Sequence, residues 1–289
     1  MTASVSSKPI KVAVAGISGR MGKAFVQAFF NDPVIKIVGA WGRENAEYVG
    51  LDIGQVAEVA GGARAGILVS SGFIECVAAC SPDVILDVTQ AEAAWRTATS
   101  AIGKGIRPVI GTSGLSQTHL KELAILAEKN NVGTMVVPNF SVGAVLMMEF
   151  ARQAGRFIPN VEVVEMHHTQ KIDAPSGTAM HTANKLAESR SHYNAKRVEE
   201  KELMSGARGA VHASGVRVHS LRLPGMISHQ EVLFGSEGEL LSIRHDSFNT
   251  KCFIEGERMA IQHVMTQKKL VVGLDQILFA RTEAEKVQF

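Results

Sequence analysis

What most limits the folds open to this chain is a series of short apolar segments spaced by helix-length stretches. KVAVAG (11–16), IKIVGAW (35–41), DVILDVT (83–89), PVIGTSG (108–114) and GTMVVPN (133–139) are apolar through their centres rather than alternating. A strand exposed on one side alternates apolar and polar residues, whereas one covered on both sides does not. Helical patterns at 20–30, 91–104 and 116–130 lie between them. Together they predict a parallel sheet with helices on both faces, joined by right-handed crossovers. The glycine-rich stretch 43–75 is less regular and is expected to be mostly loop, with a weak strand near 67–69.

After residue 139 the rhythm changes. A helix is expected over 142–157 with Ser141 as its N-cap, then the strand VEVVEM (161–166), a polar loop, and a helix to about 189. VRVHSLRL (216–223), HQEVLFG (229–235) and ELLSIRHD (239–246) alternate as half-exposed antiparallel strands do. Helical patterns at 256–267 and about 274–281 close the chain. With 46% hydrophobic and 20% charged residues over 289 positions, there is material for two packed domains.

A formal charge of +2 with both signs interspersed argues against a nucleic-acid partner. No apolar run is long enough to span a bilayer, so no membrane partner is expected. The polar start MTASVSSKPIK has no apolar signal core and reads as a frayed tail. Three cysteines suit a reducing compartment, hence a cytoplasmic protein. Cys76 and Cys80, four apart in FIECVAAC, read as buried small hydrophobes rather than a metal pair, because further ligands are not nearby.

The first strand runs into Gly16-Ile17-Ser18-Gly19-Arg20-Met21-Gly22, a turn that opens a helix. Glycines there permit a tight bend and let helix N-terminal amides face a pyrophosphate, the Rossmann-like way of binding a dinucleotide. The spacing departs from the commoner Gly-x-Gly-x-x-Gly. Arg43, past the second strand, suits a 2′-phosphate, with Arg20 as a second cation, so NADPH is favoured. Glu44 is adjacent and would suit NADH instead; a solvated loop arginine is the plain alternative for Arg43. Gly111-Thr112-Ser113 and Asn139-Phe140 follow later parallel strands at their carboxyl ends, where ligands of such sheets bind. Thr112 is a candidate contact for substrate or nicotinamide, and Phe140 a candidate flank for the ring.

The densest chemistry lies in EMHHTQKIDAPSGTA (165–179). Successive strand residues face opposite ways, so only one of His167 and His168 is expected in a given cleft. Ser176 is a natural N-cap, and the Gly177 and Thr178 amides, with the Thr178 hydroxyl, would hold a carboxylate or a phosphate. Beside such an anion hole, a histidine and Lys171 suit the reduction of an electron-poor C=N or C=C bond, in which hydride arrives from a nicotinamide and the protein supplies a proton. A strand-loop-helix connection whose polar groups merely satisfy backbone is the bland alternative.

This run closely resembles the signature of the 4-hydroxy-tetrahydrodipicolinate reductase (dihydrodipicolinate reductase) family, and the Gly16–Gly22, Gly-Thr-Ser-Gly and Asn-Phe-Ser-Val-Gly motifs resemble that family's in the right order. The resemblance implies NAD(P)H-dependent reduction of a cyclic dicarboxylate in diaminopimelate and lysine biosynthesis. It implies His167 as proton donor and Lys171 as the second catalytic residue, though which of the two delivers the proton stays open. His168, Lys171, Gly177 and Thr178 would hold the substrate carboxylates, beside Ser176 and Thr112 as the further substrate contacts read from the residues themselves. It also implies a homotetramer, with a Rossmann-like α/β domain at 8–138 completed by helices within 258–289, and an α+β substrate and tetramerisation domain at 139–257 whose sheet is mixed and largely antiparallel. Where the family carries a proline after the DVILDVT strand, this chain reads Thr89-Gln90-Ala91-Glu92, which leaves the rigidity of that loop in question.

Overall fold

The computed structural model describes residues 8–112, 114–195 and 198–280. The chain forms two compact units, one reaching Phe140 and resuming at Phe253, the other spanning Ser141–Cys252. In chain order the first unit contributes β1 (Ile10–Ala15), α1 (Arg20–Phe29), β2 (Ile35–Trp41), the single turn α2 (Ile53–Val56), β3 (Val69–Ser70) and α3 (Phe73–Cys80). It continues with β4 (Val84–Asp87), α4 (Ala91–Gly103), β5 (Arg107–Ile110), α5 (Gln117–Asn130) and β6 (Thr134–Val136). The second unit holds α6 (Val142–Gly155), β7 (Val161–His167), α7 (Gly177–Ser189), β8 (Ala210–Val211), β9 (Arg217–Arg222), β10 (Ser228–Ser236) and β11 (Glu239–Ser247). The chain then returns to the first unit with α8 (Ile254–Val264), β12 (Leu270–Val272) and α9 (Asp275–Leu278).

The first unit is built on a seven-stranded sheet in the order β12-β6-β5-β4-β1-β2-β3, parallel throughout. Every residue of β4 is buried, as a strand covered on both faces requires. Ala94, Ala98 and Ile102 of α4 and Leu123 of α5 pack with Ile110 and Val136 of the sheet. Elsewhere Phe73 and Cys76 of α3 pack with Trp41 and Ile85. Gly39 of β2 is where α3 comes closest: a side chain there would stand 2.7 Å from the Cys80 sulfur and 2.8 Å from that of Cys76. The two thiols are small wall-fillers 4.0 Å apart.

In the first unit two departures from the sequence expectations have physical causes. Leu270–Val272 forms β12 at the sheet edge, parallel to β6, where no strand was expected. Three residues are too few to show a period, and pairing alone makes them a strand. The stretch 43–75 is also more ordered than a loop. The buried Asp52 carboxylate accepts the amides of Gly54, Ala65 and Gly66 at 2.7–3.0 Å, which closes the segment on itself beside β3.

The second unit carries a five-stranded sheet in the order β11-β10-β7-β9-β8. A two-residue turn at Glu237-Gly238, with Gly238 at φ +86°, joins the β10–β11 hairpin. Three of the four strand pairs are antiparallel, but β9 runs parallel to β7, contrary to the antiparallel reading of its alternation. Alternation reports one covered face and is blind to strand direction. Ser141 caps α6, accepting the Ala144 amide at 3.3 Å. Among the described residues no helix is long and apolar enough to cross a membrane.

Candidate active site

In the first unit, β1 lies between β2 and β4, so the connections leave in opposite directions there and open a crevice at the carboxyl ends. Gly16 sits at that point with φ +83°, a conformation that favours glycine. A side chain on Gly22 would stand 2.3 Å from the Gly16 carbonyl oxygen, so α1 presses directly on the turn. Gly19 occupies the N-cap position, and no side chain caps the α1 amides. That arrangement fits a pyrophosphate, whose oxygens would take the amides that a serine or aspartate cap would otherwise occupy. Ser18, Gly19 and Arg20 are exposed and Met21 is half-buried; Ile17 is fully buried and has only its backbone to offer.

The neighbouring loops line up along the same edge. Gly16 lies against Val88, and a side chain on Gly111 would meet Val88 at 3.1 Å and the Phe140 ring at 2.4 Å. Phe140 is therefore packed beneath Gly111, only 1% exposed, while Thr112 and Asn139 are half-buried at the rim. Arg43 is exposed just past β2 and has no ion-pair partner among the described residues. Ser113 lies outside the described residues. The loop that lacks a proline is held another way: the Thr89 amide and hydroxyl both donate to Asp87 Oδ1, at 2.9 and 2.5 Å. Burial raises the Asp87 carboxyl pKa, and its other oxygen has no hydrogen-bond partner among the described residues.

In the second unit the core face of β7 reads Val161, Val163, Glu165, His167, so an apolar strand turns ionic at its end. Glu165 is fully buried. Its Oε1 accepts from Arg222 Nη2 at 2.8 Å and from the Ser176 amide at 3.2 Å. Its Oε2 accepts from Arg222 Nη1 at 3.0 Å and meets His167 Nδ1 at 2.5 Å. Desolvation opposes its ionisation, but His167, Arg222 and Ser220 outweigh that and hold the carboxyl down at about 2. Arg222 reaches it because β9 runs parallel to β7 with Arg222 opposite His167.

The same guanidinium donates to the Asp173 carbonyl at 2.8 Å, and the Asp173 carboxylate takes the Lys171 ammonium at 2.7 Å. Lys171 is thus a positioned cation, and its ammonium holds the Asp173 pKa below the usual range. Ser176 caps α7 by accepting the Ala179 amide at 3.2 Å, and the helix's own bonding begins with Met180 on the Ser176 carbonyl. The Gly177 and Thr178 amides stand ahead of that first bond, at the positive end of the helix. His168 is half-buried, with Nδ1 enclosed and without a partner among the described residues. His167, Lys171 and Ser176 are thus joined through Glu165, Arg222 and Asp173. Among the described residues no three His, Cys, Asp or Glu side chains are arranged to hold a metal ion.

The sequence reading assigned no role to Glu165 or Arg222. A signal for the first exists, since residues i and i+2 of a strand share a face and a carboxylate beside a histidine on a core face is out of place. Arg222 left none, because the strand pairing that brings it in was not predictable.

The parallel strand order, the glycine turn at the point where that order reverses and the uncapped helix behind it define a Rossmann-type dinucleotide-binding protein. Residues 10–140 match the family model described as dihydrodipicolinate reductase, N-terminus, and residues 143–278 match that for its C-terminus. The chain belongs to the dihydrodipicolinate reductase family and is an oxidoreductase. It is 43% identical over 272 residues to the 4-hydroxy-tetrahydrodipicolinate reductase of Synechococcus elongatus, covering 93% of this chain and 99% of that protein. With the reductase of the same name from Bacillus velezensis it shares 39% over 274 residues, 95% of this chain and 100% of that one. Among solved structures it is similar to a dipicolinate-bound dihydrodipicolinate reductase from Paenisporosarcina, with TM-score 0.81 and 39% identity over 93% of this chain and 99% of that one. An amine dehydrogenase from Mycobacterium smegmatis, 14% identical at TM-score 0.66 over 92% and 95% of the two chains, shares the fold alone.

Proposed function

We propose that the chain catalyses NAD(P)H-dependent reduction of 4-hydroxy-tetrahydrodipicolinate to tetrahydrodipicolinate with loss of water, a step of diaminopimelate and lysine biosynthesis. The observation that carries this is near-full-length identity of 39–43% to reductases of that name. When bound, the cofactor supplies hydride. The chain's own groups then have two tasks, which are to deliver one proton and to balance two carboxylates.

His167 is the proton donor in this reading, and its ring is held at Nδ1 so that Nε2 is the nitrogen left for substrate. Lys171 is the second essential residue, a fixed ammonium facing substrate charge. The Ser176-Gly177-Thr178 helix start and His168 receive carboxylates, with Thr112 as a further substrate contact. On the cofactor side Gly16, Ile17, Ser18, Gly19, Arg20, Met21 and Gly22 cradle the pyrophosphate, with Gly111, Thr112, Ser113 and Asn139 toward the nicotinamide and the Phe140 ring behind Gly111. The exposed, unpaired Arg43 supports NADPH over NADH.

We further propose a homotetramer, supported by Val211, Leu221 and Leu240, which stand 36–69% exposed on the outer face of the second unit's sheet. Cytoplasmic residence is supported by the free thiols of Cys76, Cys80 and Cys252. The deciding assay supplies purified protein with freshly made dihydrodipicolinate-synthase product and follows NADPH and NADH oxidation separately. Turnover is expected with NADPH preferred; no rate above background with either cofactor overturns the assignment.

A further inference from the structure

We propose that Glu165 and Arg222 act together as the positioning pair of this site, and that Glu165 fixes which ring nitrogen of His167 carries the reacting proton. The inference rests on the proposed reductase reading for its catalytic consequence, but its geometric content stands without it.

Glu165 has four donors arranged around two oxygens. Arg222 Nη2 and the Ser176 amide fill Oε1, and Arg222 Nη1 shares Oε2 with His167 Nδ1. An arginine and a backbone amide can only donate. The carboxylate, held ionised by these partners, can only accept. His167 Nδ1 must therefore be the donor in its 2.5 Å bond, and the neutral ring is the Nδ1–H tautomer. Nε2 is left as the position where a proton is held before transfer and from which it departs. The buried fork also removes freedom elsewhere. Arg222 binds Glu165 bidentately and the Asp173 carbonyl at once, while Asp173 holds Lys171 and the Ser176 amide starts α7. One carboxylate thereby fixes the donor ring, the ammonium loop and the helix start relative to one another. Neither Glu165, fully buried, nor Arg222 need touch the substrate to do this.

Glu165→Gln separates this role from simple packing. A glutamine has one acceptor oxygen, which the two donors at the Oε1 position claim. Its NH2 group then faces Arg222 Nη1, whose bond is lost, and His167 Nδ1, where it demands an acceptor and so switches the neutral ring to the Nε2–H tautomer. Such a ring has no acceptor on the substrate side and must gain its proton at the wrong nitrogen. Because tautomer errors act on the chemical step, kcat is expected to fall by about 10²-fold or more. KM is expected to rise by less than kcat falls, since glutamine still accepts the Ser176 amide and one arm of Arg222, and NADPH affinity should stay within about twofold, since no group of the glycine turn bonds Glu165.

The test is ¹⁵N NMR of histidine-labelled full-length protein at alkaline pH, with the His167 signals assigned by their loss in His167→Gln, combined with steady-state kinetics. The expected result is an Nδ1–H ring in the wild type, an Nε2–H ring in Glu165→Gln, and a selective loss of kcat that Glu165→Asp partly restores. A wild-type ring in the Nε2–H form, a ring unchanged by Glu165→Gln, or a kcat within about threefold of wild type overturns the proposal. If the variant yields no folded protein, the wild-type spectrum alone decides the tautomer. If the wild type reduces no substrate, the reductase reading fails, and the tautomer measurement still judges the positioning pair.

Discussion

Glu257 offers a test in which the direction and size of an effect follow from one buried group. It lies in α8, 1% exposed, with Oε2 unpartnered among the described residues, and desolvation alone pushes its carboxyl pKa up to about 8. The folded state therefore holds this proton more tightly than the unfolded chain, whose carboxyl titrates near the ordinary value of about 4.5. Between those two values unfolding releases a proton, so stability falls as pH rises, by about 1.4 kcal/mol per pH unit. Below the lower value the penalty is absent, and above the upper one it is complete. The full span, about 8 less 4.5 at that slope, is about 5 kcal/mol. Relaxation and water entry around the ionised group make this an upper bound. Even half of it is a large share of a domain's total stability of roughly 5–15 kcal/mol. Glu257→Gln keeps the volume and removes the titration. Paired denaturant unfolding of wild type and variant between about pH 5 and about pH 9 isolates this group, because every other titration cancels in the difference. The variant should gain on the wild type steadily up to about pH 8 and then level off. A stability difference that does not change with pH would refute the reasoning and mean that Glu257 ionises without penalty.

Other substitutions probe the site directly. His167→Gln and Lys171→Ala should each lower kcat by about 10²-fold or more while leaving NADPH affinity, measured by fluorescence titration, nearly unchanged; normal turnover in both would remove them from the chemistry. Arg43→Ala should raise the Kd for NADPH about tenfold and that for NADH little, since a lost charge-assisted contact to phosphate costs on the order of 1.5 kcal/mol. Equal effects on the two cofactors would mean that Arg43 does not read the 2′-phosphate.

Where the sequence could be read, burial made it readable. The core of the parallel sheet stands out because β1, β4 and β5 are covered on both faces and carry almost nothing polar at their centres. Caps were equally legible: Ser141 and Ser176 each accept an amide three residues on, a contact local enough to be written in consecutive positions. What escaped depends on distant partners. Leu270–Val272 is a strand only because β6 lies beside it, and the order of 52–66 comes from a single carboxylate closing on backbone amides up to 14 residues away.

The site divides along the same line, and the division bears on how it works. His167, Lys171 and Ser176 are visible because they crowd into fifteen residues beside a helix start, yet chemistry needs them at fixed separations, and a loop between Lys171 and Pro175 does not by itself supply that. The fixing comes from Arg222, 57 residues beyond Glu165 and brought opposite His167 by the parallel β7–β9 pairing. Burying this ion pair carries a desolvation cost that a hydrophobic pair of the same volume would avoid, so stability alone does not favour it. Its return is geometric. A planar guanidinium that binds both carboxylate oxygens and a carbonyl permits far fewer arrangements of the ring and the ammonium loop than apolar packing would. The parallel β9, the one strand whose direction was misread, is therefore the element on which the arrangement of the motif depends: an antiparallel β9 would present its last residue at the opposite end of β7 from His167.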